Sequence, residues 1–383
     1  MAGTILTING GSSSVKFALF KIGQTLQRKA AGSFKSQNSQ DAAQGVLQWL
    51  RKQDGCDNVT AIGHRIVHGG PKFFEHTRIT AEMLLELRRV APIDPDHMPG
   101  ELALIDALSA ELPKAAQVAC FDTAFHRDLP AVARQLPIPR KYFEEGIRRY
   151  GFHGLSYSYL MEELARQEGS TLTPTLSQRE REQQVAQGRI VLAHLGNGAS
   201  MAAVREGKCI DTTMSFTPTA GLVMGTRCGD LDPGLLVYLM REKKMSADQI
   251  DKLINHESGM AGISGGTSDM QKLLGERSSN KDYARAVDIF CYQARKWIGA
   301  MAAALGGLDT LVFSGGIGEN AAEVRGEICT GLECLGIRLD AARNGACEAV
   351  ISNEKSSVNV RVIKTDEEMM IARATSQILQ LKP

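Results

Sequence analysis

The chain has 383 residues, of which 43% are hydrophobic and 23% charged, and its formal net charge is +1. That length exceeds what one hydrophobic core usually serves, so two domains are expected. The near-zero charge offers no global field for nucleic acid or an anionic membrane surface, and the apolar runs are too short and too interrupted to cross a bilayer.

In chain order, "ILTINGGSSSVKFALF" (5–20) comes first. Two β-rich runs, 5–8 and 15–20, flank a polar turn from Asn9 to Ser14, which predicts a β-hairpin. Gly10 and Gly11 can supply positive φ for a tight turn. The same glycines, three serines and Lys16 can also bring backbone N–H groups, hydroxyls and a cation to an anion. This is no Walker loop, because G-x-x-x-x-G-K-[ST] is missing and a strand follows. Helices are predicted over 81–89, 101–112 and 156–166. The stretch 169–188 is polar and lacks aromatics, and it reads as a surface insertion.

A second strand–turn–strand, "IVLAHLGNGASMAAV" (190–204), echoes the first: laying Gly10 on Gly196 also lays Ser14 on Ser200. Two such hairpins half a chain apart suggest a duplicated domain. Further helices are predicted over 233–243 and 282–305. "TLVFSGGIGEN" (310–320) reads as a buried strand running into a glycine-rich turn, with a helix over 321–329. A last helix is predicted over 365–381, opened by "TDEE". Strands alternating with helices in this way argue for α/β architecture.

Chemistry-bearing residues gather beside glycines in eight places: "GHRIVHGG" (63–70), "FDTAFH" (121–126), "RYGFHG" (149–154), "HLGNGAS" (194–200), "MGTRCGDLDPG" (224–234), "GISGGTSDM" (262–270), "SGGIGEN" (314–320) and "TDEE" (365–368). Each alone has a structural explanation. A histidine beside glycines can be a satisfied buried imidazole, and Arg227 with Asp230 can be an internal ion pair. Their combination with two phosphate-type hairpins points to phosphate chemistry.

Together these motifs resemble the acetate kinase family, the acetokinase branch of the sugar kinase, Hsp70 and actin superfamily. The resemblance runs from Ile5 to about Ala374, with 169–188 outside it. It implies an α/β fold of duplicated ribonuclease H-like (actin-like ATPase) domains with a cleft between them. An N-terminal domain would cover 1–145 and a C-terminal one 146–367, with the final helix, 368–383, packed back on the first. The implied activity is reversible, direct in-line transfer of the ATP γ-phosphoryl group to acetate, giving acetyl phosphate and ADP.

The resemblance also implies roles for single residues. Arg65 and Arg227 match the arginines that hold the carboxylate and stabilise the transferring group, as planar guanidinium ions can. Asp122 matches the catalytic aspartate and His153 the histidine bonded to the phosphoryl group. Val67, Phe152 and Pro218 match walls of the acceptor pocket. Ser12, Ser14 and Lys16 match one phosphate turn, and His194, Leu195, Gly196, Asn197 and Gly198 the other. Asp269, Met270, Gln271, Gly316, Ile317, Gly318, Glu319 and Asn320 correspond to the adenosine side. Asn9 and Glu367 match the residues on the metal side, for Mg²⁺ or alternatively Mn²⁺.

Three positions depart from the family pattern. Asp94 stands where a histidine is usual, Pro71 where a glutamate is usual, and Gln271 where an arginine is usual. Unless protonated or paired, Asp94 would repel a carboxylate. Propionate or another short carboxylate is an alternative acceptor, and a non-catalytic nucleotide-binding protein of the same fold is an alternative of another class. A dehydrogenase reading of "SGGIGEN" lacks a full G-x-G-x-x-G with its ribose acid, and no basic, aromatic-laced face suggests nucleic acid. The expected partners are the carboxylate, ATP/ADP and a second copy in a homodimer. Eight cysteines without CxxC or zinc spacing,, and a first strand that leaves no room for a signal peptide, lead to an expected cytoplasmic location.

Overall fold

In a computed structural model, residues 3–11, 14–34, 39–53, 58–171 and 188–381 are described. Ser12 and most of the 169–188 stretch therefore lie outside the described residues. The chain forms two compact units: Met1–Arg127 with Phe152–Tyr159 and Asp366–Pro383, and Asp128–Gly151 with Leu160–Thr365.

The first unit is built on strands β1 (Thr4–Gly10), β2 (Val15–Lys21), β3 (Gln27–Phe34), β4 (Val59–Ile66), the two-residue β5 (Thr77–Arg78) and β6 (Ala116–Phe121). They lie in the order β3-β2-β1-β4-β6-β5. β1 to β3 form an antiparallel meander, while β1, β4 and β6 run parallel. All of β1 is buried, as a central strand covered on both faces must be. Its alternation divides the core. Leu6 and Ile8 pack with Phe17, Leu19, Val46, Leu104 and Leu108 on one face, and Ile5 packs with Ala18, Phe20 and Ala372 on the other,.

The second face is covered by the helix Glu367–Ile378. This helix lies so close to β4 that a side chain at Gly63 would start 2.2 Å from Thr375 Oγ1 and 2.6 Å from the Ile371 side chain. On the first face, the helix Met98–Glu111 begins three residues before the predicted start, with Pro99 in its opening turn. A proline is suited to that place because its missing N–H has no partner to lose there.

The second unit repeats the arrangement with β7 (Ile190–Leu195), β8 (Ala199–Arg205), β9 (Lys208–Thr212), β10 (Thr310–Ser314) and β11 (Asn359–Val362). Its order is β11-β10-β7-β8-β9. β7 to β9 are antiparallel, and β7, β10 and β11 parallel. Strand for strand, β9-β8-β7-β10-β11 repeats β3-β2-β1-β4-β6. The duplication suggested by the two hairpins is thus a duplication of whole sheets. The helix Lys281–Leu305 buries Ala286, Val287, Phe290, Ala294, Ile298, Met301 and Leu305 along one stripe,. Asn280 caps its start and Gly306, at φ 73°, ends it,.

Candidate active site

The described residues singled out from the sequence fall into two groups, one in each unit.

In the first unit, β1 and β2 end on the Gly10–Val15 pair, and Asn9 lies opposite Lys16. Asn9 is buried, and its side-chain amide donates to Glu367 Oε2 at 2.8 Å and Glu368 Oε1 at 3.0 Å. Both glutamates sit in the first turn of the helix Glu367–Ile378, where carboxylates complement the helix dipole,. Asp366 caps that helix by accepting from the Met369 N–H at 3.0 Å. Lys16 alternates outward from β2 and is exposed.

Arg65, at the end of β4, donates from Nε and Nη2 to Asp122 Oδ2 at 3.0 and 2.6 Å, and from Nη1 to the Gly10 carbonyl at 2.5 Å. Burial alone would weaken its charge. Asp122, Glu101 and Glu367 outweigh that and hold the guanidinium above its ordinary pKa. Asp122 follows β6 directly and is 1% exposed. Burial pushes its carboxyl upward, Arg65 pulls it down and Glu367 pushes with the burial.

The segment 152–154 then approaches Asp122. His153 takes φ 58°, the left-handed region that non-glycine residues rarely occupy,. Gly154 has no room for a side chain, since a Cβ would lie 2.0 Å from the Asp122 carbonyl. Phe152 is buried and meets the His68 ring edge-on at 5.6 Å, while a His126 ring nitrogen bonds its carbonyl at 2.9 Å. Strained backbone of this kind persists where its surroundings over-determine it.

In the second unit the corresponding end is made of backbone. The Gly196 N–H bonds the Gly198 carbonyl at 3.0 Å, and the Gly225 N–H bonds the Asn197 carbonyl at 2.8 Å. A side chain at Gly225 would begin 2.0 Å from Asn197 Oδ1. Arg227, on the same loop, donates to the Pro218 carbonyl at 2.7 Å. Asp230 accepts from the Gly221 N–H at 2.8 Å. Gly315 takes φ 76° and crosses so close to β7 that a Cβ would lie 2.7 Å from the Leu195 carbonyl. The glycine-rich stretch predicted as a turn is therefore a short helix, Gly315–Asn320, entered through that left-handed glycine.

Glu319 points back into the turn, its Oε1 accepting from the Gly315 and Thr365 N–H groups at 2.9 and 3.1 Å. Asn320 bonds the Gly316 carbonyl at 2.8 Å. Asp269 caps the helix Met270–Glu276 through the Gln271 N–H, with Met270 buried and Gln271 exposed.

The sequence profile of the Acetokinase family matches residues 24–373. The chain belongs to this family. It is similar to the acetate kinase of Methylocella silvestris, 40% identical over 414 aligned residues that cover 99% of this chain and 98% of that one. Among solved structures it resembles the Porphyromonas gingivalis acetate kinase, with TM-score 0.82, 35% identity and 99% and 100% of the two chains covered. It also resembles a propionate kinase from Francisella tularensis, with TM-score 0.86, 32% identity and 98% and 100% covered.

Two acetokinase-family expectations take a physical form here. Asp94, expected to repel an acceptor unless paired, is buried and accepts from His97, at 2.8 Å from Nδ1 and 3.2 Å from the backbone N–H. Burial works against its charge, but the His97 contacts and Arg65 outweigh this and hold its pKa below the ordinary value. For a metal, the described residues hold no cluster of three or more His, Cys, Asp or Glu side chains. Asn9, Glu367 and Glu368 do form a compact set of hard oxygen donors, the chemistry Mg²⁺ and Mn²⁺ prefer.

Two residues in this acetokinase-family site were not singled out from the sequence. Glu101 accepts from the Val67 N–H at 3.0 Å. Arg325, fully buried, donates to the Gly318 and Glu319 carbonyls at 2.9 and 3.0 Å and to Asn344 Oδ1 at 2.8 Å. Both are ionisable side chains on otherwise apolar helix faces, a mismatch that the pattern itself displays.

Proposed function

We propose that the chain is an ATP:acetate phosphotransferase, moving the γ-phosphoryl group of ATP directly in line onto acetate and, in reverse, from acetyl phosphate onto ADP. The observation that carries the reading is the buried Arg65–Asp122 pair beside Asn9, Glu367 and Glu368, a concentration of charge that packing alone does not need. Phosphoryl transfer asks mainly for positioning and for positive charge about the transferring oxygens.

An acetate nucleophile is already ionised at neutral pH and needs no general base. Asp122 therefore orients and sustains the Arg65 guanidinium instead of taking a proton. Arg65 and Arg227 engage the acceptor and the phosphoryl oxygens, and His153 donates to the phosphoryl group from its constrained backbone. Val67, Phe152 and Pro218 wall the methyl group. The turn His194–Gly198, with Ser12, Ser14 and Lys16 of the first hairpin, takes the phosphates. Asp269 to Gln271 and Gly316 to Asn320 take the adenosine end. Asn9, Glu367 and Glu368 would hold Mg²⁺, or Mn²⁺, which when bound neutralises phosphate charge.

Propionate is the second reading, favoured by the likeness to a propionate kinase at TM-score 0.86. One methylene gives a pocket only about 1–3 kcal/mol of discrimination, so acceptor choice is decided by kinetics. We also propose a cytoplasmic homodimer formed through the second unit. The helix Pro233–Glu242 buries none of its residues and exposes Leu235, Val237, Tyr238 and Met240, an apolar patch of the kind that marks an interface. The seven described cysteines are unbridged, and no helix of the described residues is long and apolar enough to cross a membrane.

The test is acyl phosphate formation from ATP and Mg²⁺, trapped with hydroxylamine, with acetate, propionate and butyrate side by side and Arg227→Ala as the blank. Strong product with acetate that vanishes in the blank supports the reading. No product with any acid, in a protein that binds ATP, would leave only the non-catalytic alternative.

A further inference from the structure

Glu101 lies in the first turn of the helix Met98–Glu111, among the buried Met98, Leu102, Leu104 and Ile105. It is 4% exposed. Burying a carboxyl group is costly unless its oxygens find donors, and an apolar residue of similar size would fill the same space. What the carboxyl touches therefore indicates why it is there.

Its two oxygens serve different neighbours. Oε2 accepts from the Val67 N–H at 3.0 Å. Oε1 makes no hydrogen bond within the described residues and faces Arg65 Nη1 at 3.5 Å. The Glu101 stem also supports the hairpin end, its Cγ lying 3.5 Å from where a side chain at Gly10 would begin. The Gly10 carbonyl in turn receives Arg65 Nη1 at 2.5 Å. One side chain thus meets the arginine, the backbone of the apolar wall and the end of the first hairpin. One oxygen serves the wall backbone and the other faces the arginine.

We infer that Glu101 is a positioning residue for the acceptor end, holding Arg65 and the Val67 backbone in one frame and so setting acceptor affinity and the preference among short carboxylates. The inference rests on the carboxylate-kinase reading above. The charged groups around Glu101 are Arg65 from β4, Asp94 from the preceding loop and Asp122 after β6. Burial lifts its carboxyl to about 8, Arg65 and the Val67 N–H pulling down and the two aspartates pushing up. Glu101→Gln fills the same volume but keeps one acceptor oxygen only, because its amide nitrogen only donates, so it cannot turn an oxygen to both the Val67 N–H and Arg65.

The experiment measures kcat, the KM for acetate, propionate and ATP, and the thermal midpoint for the parent, Glu101→Gln and Glu101→Ala. The expected result is a rise of about fivefold or more in acetate KM and a changed acetate-to-propionate ratio of kcat/KM, with ATP KM held within about twofold, the signature of a lost acceptor contact. Two results overturn the inference. One is a Glu101→Gln enzyme matching an active parent in acetate KM and in the ratio. The other is a parallel loss of activity and thermal midpoint with the ratio unmoved, which marks a structural role. A parent making no acyl phosphate from any acid sinks the kinase reading itself, and this inference with it.

Discussion

The two units share one strand order yet equip the same end of the sheet in opposite ways. The first concentrates ionisable side chains there: Arg65, Asp122, Glu101, Glu367 and Glu368. The second offers peptide groups, with Gly196, Gly198, Gly225 and Gly315 threading past one another at distances that leave no space for a Cβ at Gly225 or Gly315. A buried charge cluster is held by its partners, so its chemistry and its stability are coupled. A glycine cradle is held by steric exclusion, so it fails through backbone displacement. Duplicating a sheet supplied two equivalent platforms, and the side chains at their ends made them different.

The largest expected effect separates the two platforms directly. Arg65→Ala should lower turnover by roughly 10³-fold or more, about 4 kcal/mol of transition-state stabilisation. It should also cost about 3–5 kcal/mol of stability, because Asp122 is left buried without its cation. Arg227→Ala should lose turnover on the same scale but lower the thermal midpoint less than Arg65→Ala, whose loss strands the buried Asp122 carboxyl. Kinetics and thermal unfolding of both variants check this; equal midpoints would dissolve the contrast.

Gly315→Ala comes next. At φ 76°, with the Leu195 carbonyl 2.7 Å from the new Cβ, it should cost about 1–3 kcal/mol. It should also raise the KM for ATP while leaving that for acetate unchanged. A variant with unaltered ATP kinetics would show that the cradle tolerates displacement.

The smallest effect is a slope with pH. The folded-state pKa of Glu101 is about 8 against an ordinary 4.5, so between those values the folded chain keeps a proton the unfolded chain has lost. Stability is then lost as pH rises through that window, at about 1.4 kcal/mol per pH unit for this one group. His64 and His76 act in the opposite sense. Burial lowers both from 6.5 to about 4, so stability falls as pH drops between those values. Denaturant unfolding from pH 6.5 to 8.5 should show a shallower decline for Glu101→Gln than for the parent, and equal slopes would count against a raised pKa at Glu101.

The hairpins were legible because a glycine-rich polar turn between two β-branched runs has few alternatives, and their repetition foreshadowed the repeated sheet order. The strand end carrying His194 was legible from the same local grammar, whereas β4, which ends at Arg65, was not singled out as a strand. Less visible was the geometry that depends on distant partners. Glu101 meets Val67 across 34 residues and Arg325 meets Asn344 across 19, and no local period encodes such pairs. The glycine-rich 314–320 stretch read as a turn because glycine disfavours helices. The Glu319 carboxylate, returning to the Gly315 N–H, holds that short helix together.

One hydrogen bond has a consequence for how the protein comes into being. Asn9 and Glu367 are 358 residues apart. During synthesis the first hairpin therefore emerges 358 residues before its acidic neighbour Glu367. Domains generally fold in order of emergence, so the second sheet can form while the first still lacks its covering helix. The nascent protein thus has no finished acidic corner beside Asn9, and chains cut short before Glu367 are released without one.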